Sequence, residues 1–375
     1  QMVPREFWRE VVDRVAEEVP NTLLLAEAFW MMEAYFVRNL GMHRVYNSAF
    51  MHMLRNEDNA RYRGILKDTL SHNPSILQRF VNFMNNPDED TAVEQFGRGQ
   101  KYFGVATLMS TLPGLPMFGH GQLEGYAEKY GMEFTRAHWD ESVDEGLLGY
   151  HDDVIVPLLR ERTVYGSTDH FNLFDVYAKD GSVVESVYAF TNRGRDGQAR
   201  SLVVFNNCHE SVSGWVHTSV PVNRGLEEEP RMECVTITDA LGLSYSEDAL
   251  YGIRELRSQQ WFLRKGADLA QGGMFCALDG YEAQVYTDVR EIHDADGVWR
   301  ELHAHLDGRG VADLDNALIQ MRKGPSCNGM ERSAGVLLHP SSLPGPEGIG
   351  TLGQEAHDFM QWLVDGGFLV WQMLP

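Results

Sequence analysis

The stretch RFVNFMNNPDED, residues 79–90, joins a short apolar run to a cluster of amides and carboxylates. The apolar part has the length and composition of a strand that is buried on both faces, as in a parallel sheet. The polar part, with Asn86 and Asp88, can be a simple solvent-exposed turn, because Asn, Pro and Asp are common turn formers. It can also be a strand end that carries functional groups. The flanking segments bear on this choice.

Similar strand-like runs recur up to about residue 163, and helix-like segments separate them. The runs are TLLLAEAF, HRVYNSAF, RFVNF and GLPMFGHG, and an amphipathic helix-like segment precedes the first one. Repeated strand-then-helix units predict a parallel α/β sheet or a (β/α) barrel. Four such units predict the C-terminal half of a (β/α)8 TIM barrel over residues 1–163.

The sequence pattern changes twice in the remaining residues. Residues 164–292 carry short alternating runs rich in Val, Tyr and Phe with turn signals between them, which predicts an antiparallel β-sandwich. Residues 293–332 read as a helix and a linker. Residues 333–375 read as strand, Gly/Pro-rich loop, helix and strand, which predicts the start of a second TIM barrel. The fold class is α/β, and since Gln1 leads directly into a helix, we expect a piece of a longer protein.

Composition restricts the possible partners. The 375 residues include 54 acidic and 32 basic side chains, and the net charge of −22 opposes binding to nucleic acid or anionic lipid. The longest apolar runs are too short to span a membrane. We therefore expect a soluble protein with no nucleic-acid and no membrane partner.

The cysteines and the acidic run give little sign of a bound group. The four cysteines are widely spaced and lack zinc-finger spacing, which favours free thiols and a cytoplasmic location. The run PDED could hold a cation, but calcium needs six to eight oxygens in one cage, and a solvated loop is the simpler interpretation. We predict no metal and no cofactor.

Candidate catalytic residues follow from the barrel prediction, because functional groups in such barrels lie at the carboxyl ends of the strands. Glu27 ends the first strand beside Trp30, Asp88 ends the third, and the glycine-rich loop after the fourth contains His120. Each carboxylate alone can equally be solvated or ion-paired. Two carboxylates at one barrel mouth with aromatic rings nearby form the arrangement that glycoside cleavage needs.

Three segments resemble the later half of the catalytic barrel of glycoside hydrolase family 13, the α-amylase family. They are LLLAEAFW, RFVNFMNNPDED and TLMSTLPGLPMFGHGQLEG. The resemblance implies that Glu27 is the acid/base, that Asp88 stabilises the transition state, and that Trp30, Asn86 and His120 contact substrate. Pro87 replaces the usual His of the family signature. The family's nucleophilic Asp would precede residue 1 and is not in this chain.

The segment SAGVLLHPSSLPGPEGIGTLGQEAHDFMQWLVDGGFLVWQMLP is similar to the opening of the 4-α-glucanotransferases of glycoside hydrolase family 77. That resemblance implies a loop near the glucan site at the barrel mouth. The loop residues that would bind substrate are Ser342, Leu343, Pro344, Gly345, Gly348, Ile349 and Gly350. The catalytic carboxylates of this second family would come later and are absent.

Together the two resemblances imply a fragment of a fusion of two retaining enzymes that act on α-1,4-glucans by hydrolysis, 4-α-glucanotransfer or both. The expected partners are a maltooligosaccharide or glucan substrate and the remainder of the parent polypeptide. A non-catalytic glucan-binding or scaffolding module is the alternative.

Overall fold

The computed structural model describes residues 6–28, 32–129, 134–322, 334–345, 350 and 352–373. The chain divides into two compact units, Gln1–Leu314 and Asp315–Pro375. Within the described ranges, every helix is too short or too polar to cross a membrane.

The first unit begins with short parallel strands that alternate with helices. The strands are β1 (Leu25–Ala26), β2 (Arg44–Tyr46), β3 (Phe80–Phe83) and β4 (Leu115–Met117). The helices are α1 (Phe7–Glu18), α2 (Glu33–Arg38), α3 (Ser48–Arg55), α4 (Asn59–His72), α5 (Ala92–Phe96), α6 (Gln100–Thr111), α7 (Glu145–Tyr150), α8 (Val156–Arg160) and α9 (Arg162–Tyr165).

The four strands form one parallel sheet in the order β1-β2-β3-β4. Each strand therefore pairs with the next one in the chain, so every crossover steps in the same direction, as in a barrel wall. The predicted parallel α/β organisation is confirmed. Because parallel strands share their direction, the loops that follow β1 to β4 meet at one edge of the sheet.

The sequence pattern predicts one helix over MHMLRNEDNARYRGILKDTL and one over TAVEQFGRGQKYFGVATLMSTL, but the structure divides each of them in two. The break between α3 and α4 contains Glu57 with φ of 58°, and the break between α5 and α6 contains Gly97 with φ of 74°. A left-handed residue ends a helix. The carboxylate of Glu57 accepts hydrogen bonds from Lys101 Nζ at 2.6 Å and from the Tyr281 hydroxyl at 2.7 Å, and these contacts hold the strained residue in place.

An antiparallel sheet makes up most of the rest of the first unit. Its strands are β5 (Asn172–Tyr177), β6 (Val187–Arg193), β7 (Arg200–Asn206), β8 (Val212–Ser219), β11 (Ala249–Glu255), β12 (Trp261–Lys265), β13 (Met274–Leu278) and β14 (Ala283–His293). The strands β9 (Val222–Asn223) and β10 (Met232–Glu233) form a separate pair, and the helices are α10 (Ile237–Ala240), α11 (Gly266–Gly272) and α12 (Val298–Leu306).

The antiparallel prediction is confirmed, but the strands form one curled eight-stranded sheet rather than a two-sheet sandwich. The order is β12-β11-β14-β7-β6-β5-β8-β13. Strand β6 is buried on both faces. Its Tyr188 and Phe190 pack into the same core as the parallel sheet and its helices, whereas Ala189 packs with residues of α10 and α11. The parallel sheet with its helices covers one face of the antiparallel sheet at β6, and α10 and α11 cover the other, so no second antiparallel sheet is needed to bury it.

A buried charge cluster joins α4 to the antiparallel sheet. The guanidinium of Arg63 is fully buried and pairs with Asp175 on β5 and with Glu185. Lys67 Nζ lies 2.8 Å from the same Asp175 carboxylate. Since a buried guanidinium is costly without acidic partners, these pairs fix α4 against the sheet.

The second unit contains a short parallel pair of strands with a helix between them. Strands β15 (Gly335–Leu337) and β16 (Val370–Gln372) pair in parallel, and α14 (Gln354–Asp365) connects them. The helix α13 (Leu314–Arg322) begins at the last residue of the first unit. A β-α-β unit of this kind matches the pattern predicted for residues 333–375.

Candidate functional site

Two carboxylates and one tyrosine occupy the edge where β1, β2 and β3 end. Glu27 directly follows β1, Tyr46 is the last residue of β2, and Asp88 lies in the turn after β3. Glu27 and Asp88 are exposed, whereas Tyr46 is half-buried. Burial raises the pKa of the Tyr46 phenol, and the negative charges of Glu27 and Asp88 raise it further. Both carboxylates therefore raise the pKa of the same phenol.

The turn that carries Asp88 is shaped by Asn86. This side chain is buried, and its carbonyl oxygen accepts hydrogen bonds from the backbone N–H of Asp88 and of Glu89, both at 3.0 Å. Lys129 Nζ donates to the backbone carbonyl of Asp88 at 2.8 Å. Asn86 thus acts on the orientation of Asp88, a positioning role that the sequence pattern does not reveal.

A small cavity lies beside this turn and brings His120 close to Asn86. It has a volume of about 50 Å³, enough for a water molecule or a ligand hydroxyl, and Lys129 also lines it. Asn85, at the end of β3, is buried, and its side-chain oxygen has no hydrogen-bond partner. A Cβ at Gly119 would lie 2.4 Å from the Asn85 amide, so glycine lets the loop after β4 pass close to the end of β3.

Two carboxylates of the acidic run after Asn86 lie close to basic side chains. Glu89 lies 3.4 Å from His52, and Asp90 lies 3.8 Å from Lys129. Among the residues with described positions, no group of three or more His, Cys, Asp or Glu side chains could hold a metal ion.

Behind the loop after β4 lies a buried tyrosine–histidine pair that sequence reasoning missed. The Tyr102 hydroxyl donates to the backbone carbonyl of Gln122 at 2.9 Å, and His151 Nε2 lies 2.8 Å from the Tyr102 oxygen. Because the tyrosine proton is donated to that carbonyl, Nε2 carries the histidine proton. Among the described residues Nδ1 has no hydrogen-bond partner. Burial lowers the pKa of His151 to about 4, so the ring is neutral near pH 7.

Tyr46 was also missed, although the strand-end rule could have found it. The run HRVYNSAF was assigned as a strand, and the rule that selected Glu27 and Asp88 also selects the residue at which β2 ends. Its neighbour Asn47 is buried, donates to the side-chain oxygen of Asn82 at 2.9 Å and caps α3. The spacing of residues in the sequence alone gives no sign of that bond.

The remaining predicted residues belong to other regions. Trp30, Gly348 and Ile349 lie outside the described residues. Ser342, Leu343, Pro344, Gly345 and Gly350 follow β15 in the second unit. The N–H of Gly350 donates to the Ser341 carbonyl at 3.3 Å, and a Cβ at Gly350 would lie 2.2 Å from the Pro340 carbonyl oxygen. The loop therefore closes on itself at a position that requires glycine.

Comparison with known proteins gives a short, strong sequence similarity. No family model matches the chain. The chloroplastic/amyloplastic 4-alpha-glucanotransferase of Oryza sativa subsp. japonica is 64% identical over 44 residues, 12% of this chain and 7% of that protein. The 4-alpha-glucanotransferase of Thermus thermophilus is 54% identical over 46 residues, 12% of this chain and 9% of that protein. The chain thus spans less than a tenth of these enzymes.

Solved structures give a broader similarity. The alpha-amylase of Geobacillus thermoleovorans superposes with a TM-score of 0.50 and 16% identity over 76% of this chain and 57% of that protein. The Nostoc punctiforme debranching enzyme gives a TM-score of 0.51 and 13% identity, covering 75% of this chain and 55% of that protein. At such identities the similarity shows the fold alone. These neighbours are TIM-barrel enzymes of the α-amylase family.

Proposed function

We propose that the chain is part of a retaining enzyme that acts on α-1,4-glucans, by hydrolysis, 4-α-glucanotransfer or both. The observation that carries the proposal is the arrangement of Glu27 and Asp88 around Tyr46 at the carboxyl edge of the parallel sheet. The barrel-type fold of the structural neighbours and the names of the sequence relatives support it.

In the proposed mechanism the two carboxylates have different tasks. Glu27 protonates the departing glycosidic oxygen and then takes a proton from the acceptor, while Asp88 stabilises the oxocarbenium-like transition state. A nucleophilic Asp outside the 375 residues forms the glycosyl-enzyme. Water as the acceptor gives hydrolysis, and a glucan hydroxyl gives transfer.

The proposal extends to the organisation of the protein. Residues 1–163 would be half of the catalytic barrel, 164–292 its β domain, 293–332 a connection, and 333–375 the start of a 4-α-glucanotransferase barrel in a fusion. A match of 44 residues to glucanotransferases has about the length of that last segment. The free thiols Cys208, Cys234 and Cys276 fit the proposed cytoplasmic location.

The decisive experiment uses the longer parent polypeptide. We would incubate it with maltotriose and follow glucose and longer maltodextrins over time, for the wild type and for Glu27→Gln. Loss of the proton donor is expected to lower turnover by the barrel that contains Glu27 by about 10²–10⁴-fold. Asp90→Asn, which changes an exposed carboxylate in the same acidic run as Asp88, serves as the matched control and should keep wild-type turnover.

Three outcomes would change parts of this proposal. If longer products still form with Glu27→Gln, transfer resides in the C-terminal module. If the 375-residue chain alone hydrolyses glucans robustly, the nucleophile lies within it and the assignment of roles is wrong. A parent protein that binds glucan without any turnover would instead be the non-catalytic module.

A further inference from the structure

Three exposed aromatic side chains form a row across one edge of the antiparallel sheet. Trp215 on β8 pairs directly with Phe275 on β13 and with Tyr177 on β5. Residues that are directly opposite in adjacent strands project from the same face of a sheet. Their exposed fractions are 38%, 49% and 42%, respectively, and the Trp215 and Phe275 ring centroids are 5.0 Å apart. We call Tyr177, Trp215 and Phe275 the aromatic row.

The aromatic row is not part of the core of the sheet. The neighbouring residues Val176, Val216 and Cys276 point to the opposite face and are buried in the core below it. Strand β13 is the last strand of the sheet, so the row reaches the sheet edge. Adjoining exposed apolar side chains of this kind are typical of interaction sites.

Polar concavities flank the aromatic row on both sides along the strand direction. One has a volume of about 420 Å³ and is lined by Tyr177 itself together with Lys67, Ser71 and Asp175. The other has a volume of about 470 Å³. It begins at Ser213 and Ala277, two residues along β8 and β13 from Trp215 and Phe275, and its further polar lining is Ser211, Asp279, Glu282 and Gln284.

We propose that the aromatic row and its two concavities bind an α-glucan chain at a site separate from Glu27 and Asp88. Aromatic faces stack on the C–H faces of sugar rings, and the hydroxyl, carboxylate and amide groups on either side can bond the sugar hydroxyls. The planes of Trp215 and Phe275 are inclined by 56°, which suits a curving α-1,4 chain better than a flat ribbon of β-linked glucose.

This inference rests on the proposed function for the identity of the sugar, but not on catalysis. The site lies on the antiparallel sheet of the first unit, whereas the proposed catalytic carboxylates lie at the edge of the parallel sheet. Binding at the aromatic row would hold a long substrate near the enzyme between turnovers, and short substrates such as maltotriose would gain little from it.

The test measures glucan binding by the 375-residue chain without turnover. Native gels that contain amylopectin, and calorimetric titration with maltoheptaose, would compare the wild type with Trp215→Ala. We expect affinity to fall about tenfold or more for this central ring, as for other well-placed aromatic contacts. Trp215→Phe, which keeps an aromatic face, should retain most of the affinity.

Matched controls separate this site from other surfaces. Trp8→Ala removes a similarly exposed tryptophan from α1 (45% exposed) and should leave binding unchanged. Because binding is measured without turnover, a failure of the catalytic assignment stays distinguishable from a failure here. Cellohexaose in place of maltoheptaose should bind at least tenfold more weakly.

Several results would overturn the proposal. If amylopectin in the gel does not slow the migration of the wild type, the site is excluded. Equal maltoheptaose affinity of the wild type and Trp215→Ala would exclude it as well. If sedimentation shows a dimer that Trp215→Ala dissociates while glucan affinity is unchanged, the row is an interface between two copies of the chain.

Discussion

The pKa of Tyr46 depends on the charges of Glu27 and Asp88, so it can be used to test the site without an activity assay. Because Glu27 and Asp88 each disfavour the phenolate, Glu27→Gln and Asp88→Asn should each lower the pKa of Tyr46 from its raised value. NMR titration of ring-labelled tyrosine would follow this single phenol, with Tyr46→Phe to assign its signal. A response to Asp90→Asn equal to that of Asp88→Asn would show that the effect is not local.

His151 predicts a pH dependence of stability. Its pKa of about 4 in the folded chain lies below the ordinary 6.5, so between these values the unfolded chain binds a proton that the folded chain does not. The free energy of unfolding should therefore fall by about 2–3 kcal/mol as the pH drops from 6.5 to 4. Chemical denaturation across this range should show a smaller change for His151→Gln, which keeps a donor for Tyr102.

His209→Gln is the control for that experiment, because His209 is largely exposed. It should preserve the wild-type pH dependence between 6.5 and 4. If His151→Gln and His209→Gln gave the same slope as the wild type, the burial of His151 would not contribute to acid sensitivity.

At the scale of single residues, the sequence predicts which residues lie at the candidate site better than it predicts what each of them does. Strand ends marked by Glu27 and Asp88 can be read from the pattern, because Glu27 interrupts an apolar run and Asp88 follows one by four residues. The bonds of Asn86 to its own turn, and the pairing of His151 with Tyr102 across 49 residues, depend on three-dimensional packing. No spacing rule contains that information.

At the scale of elements, two helical glycines give opposite predictions. A Cβ at Gly104 on α6 would lie 2.0 Å from the ring of Phe205 on β7, whereas a Cβ at Gly64 on α4 would meet nothing within 4 Å. Gly104→Ala should destabilise the chain by about 1–3 kcal/mol through overpacking. Gly64→Ala should stabilise it by about 0.5–1 kcal/mol through helix propensity.

Urea unfolding of both variants would test this prediction. Adding Phe205→Leu to Gly104→Ala should recover part of the loss, because it removes the ring atoms that the new methyl group meets. Equal destabilisation by both glycine substitutions would mean that α6 does not pack against β7 as described.

The breaks between α3 and α4 and between α5 and α6 show why some helix boundaries cannot be predicted from the sequence pattern. The left-handed residue Glu57 is held by contacts of its carboxylate with Lys101 and Tyr281, which lie 44 and 224 residues away in the sequence. Strand β3 is easier to recognise, because three of its four residues are large apolar side chains. Strand β12 is harder to recognise, because Arg264 and Lys265 directly follow its three apolar residues.

At the scale of the whole molecule, the parallel sheet leaves apolar groups in solvent on both outer strands. Leu25 on β1 is 40% exposed and Leu115 on β4 is 42% exposed. Parallel sheets are normally covered on both faces. If the proposed barrel is completed by further residues, we expect the 375-residue chain to bind the dye anilinonaphthalene sulfonate more strongly than a polypeptide that includes them.

Fluorescence titration with that dye would compare the two proteins. Leu115→Thr should reduce dye binding by the 375-residue chain, whereas Leu226→Thr, at an isolated position that is 73% exposed, should not. Equal dye binding by the chain and by the extended polypeptide would argue against a barrel that further residues complete.

The charge cluster around Arg63 also bears on how the protein is made. Asp175 and Glu185 follow Arg63 by 112 and 122 residues. At a synthesis rate of about 5–20 residues per second, the ribosome needs roughly 6–22 seconds to add the first of them. Throughout that interval α4 has no acidic partners for its arginine. Docking of α4 against the antiparallel sheet through these ion pairs therefore cannot be completed before β5 has been synthesised.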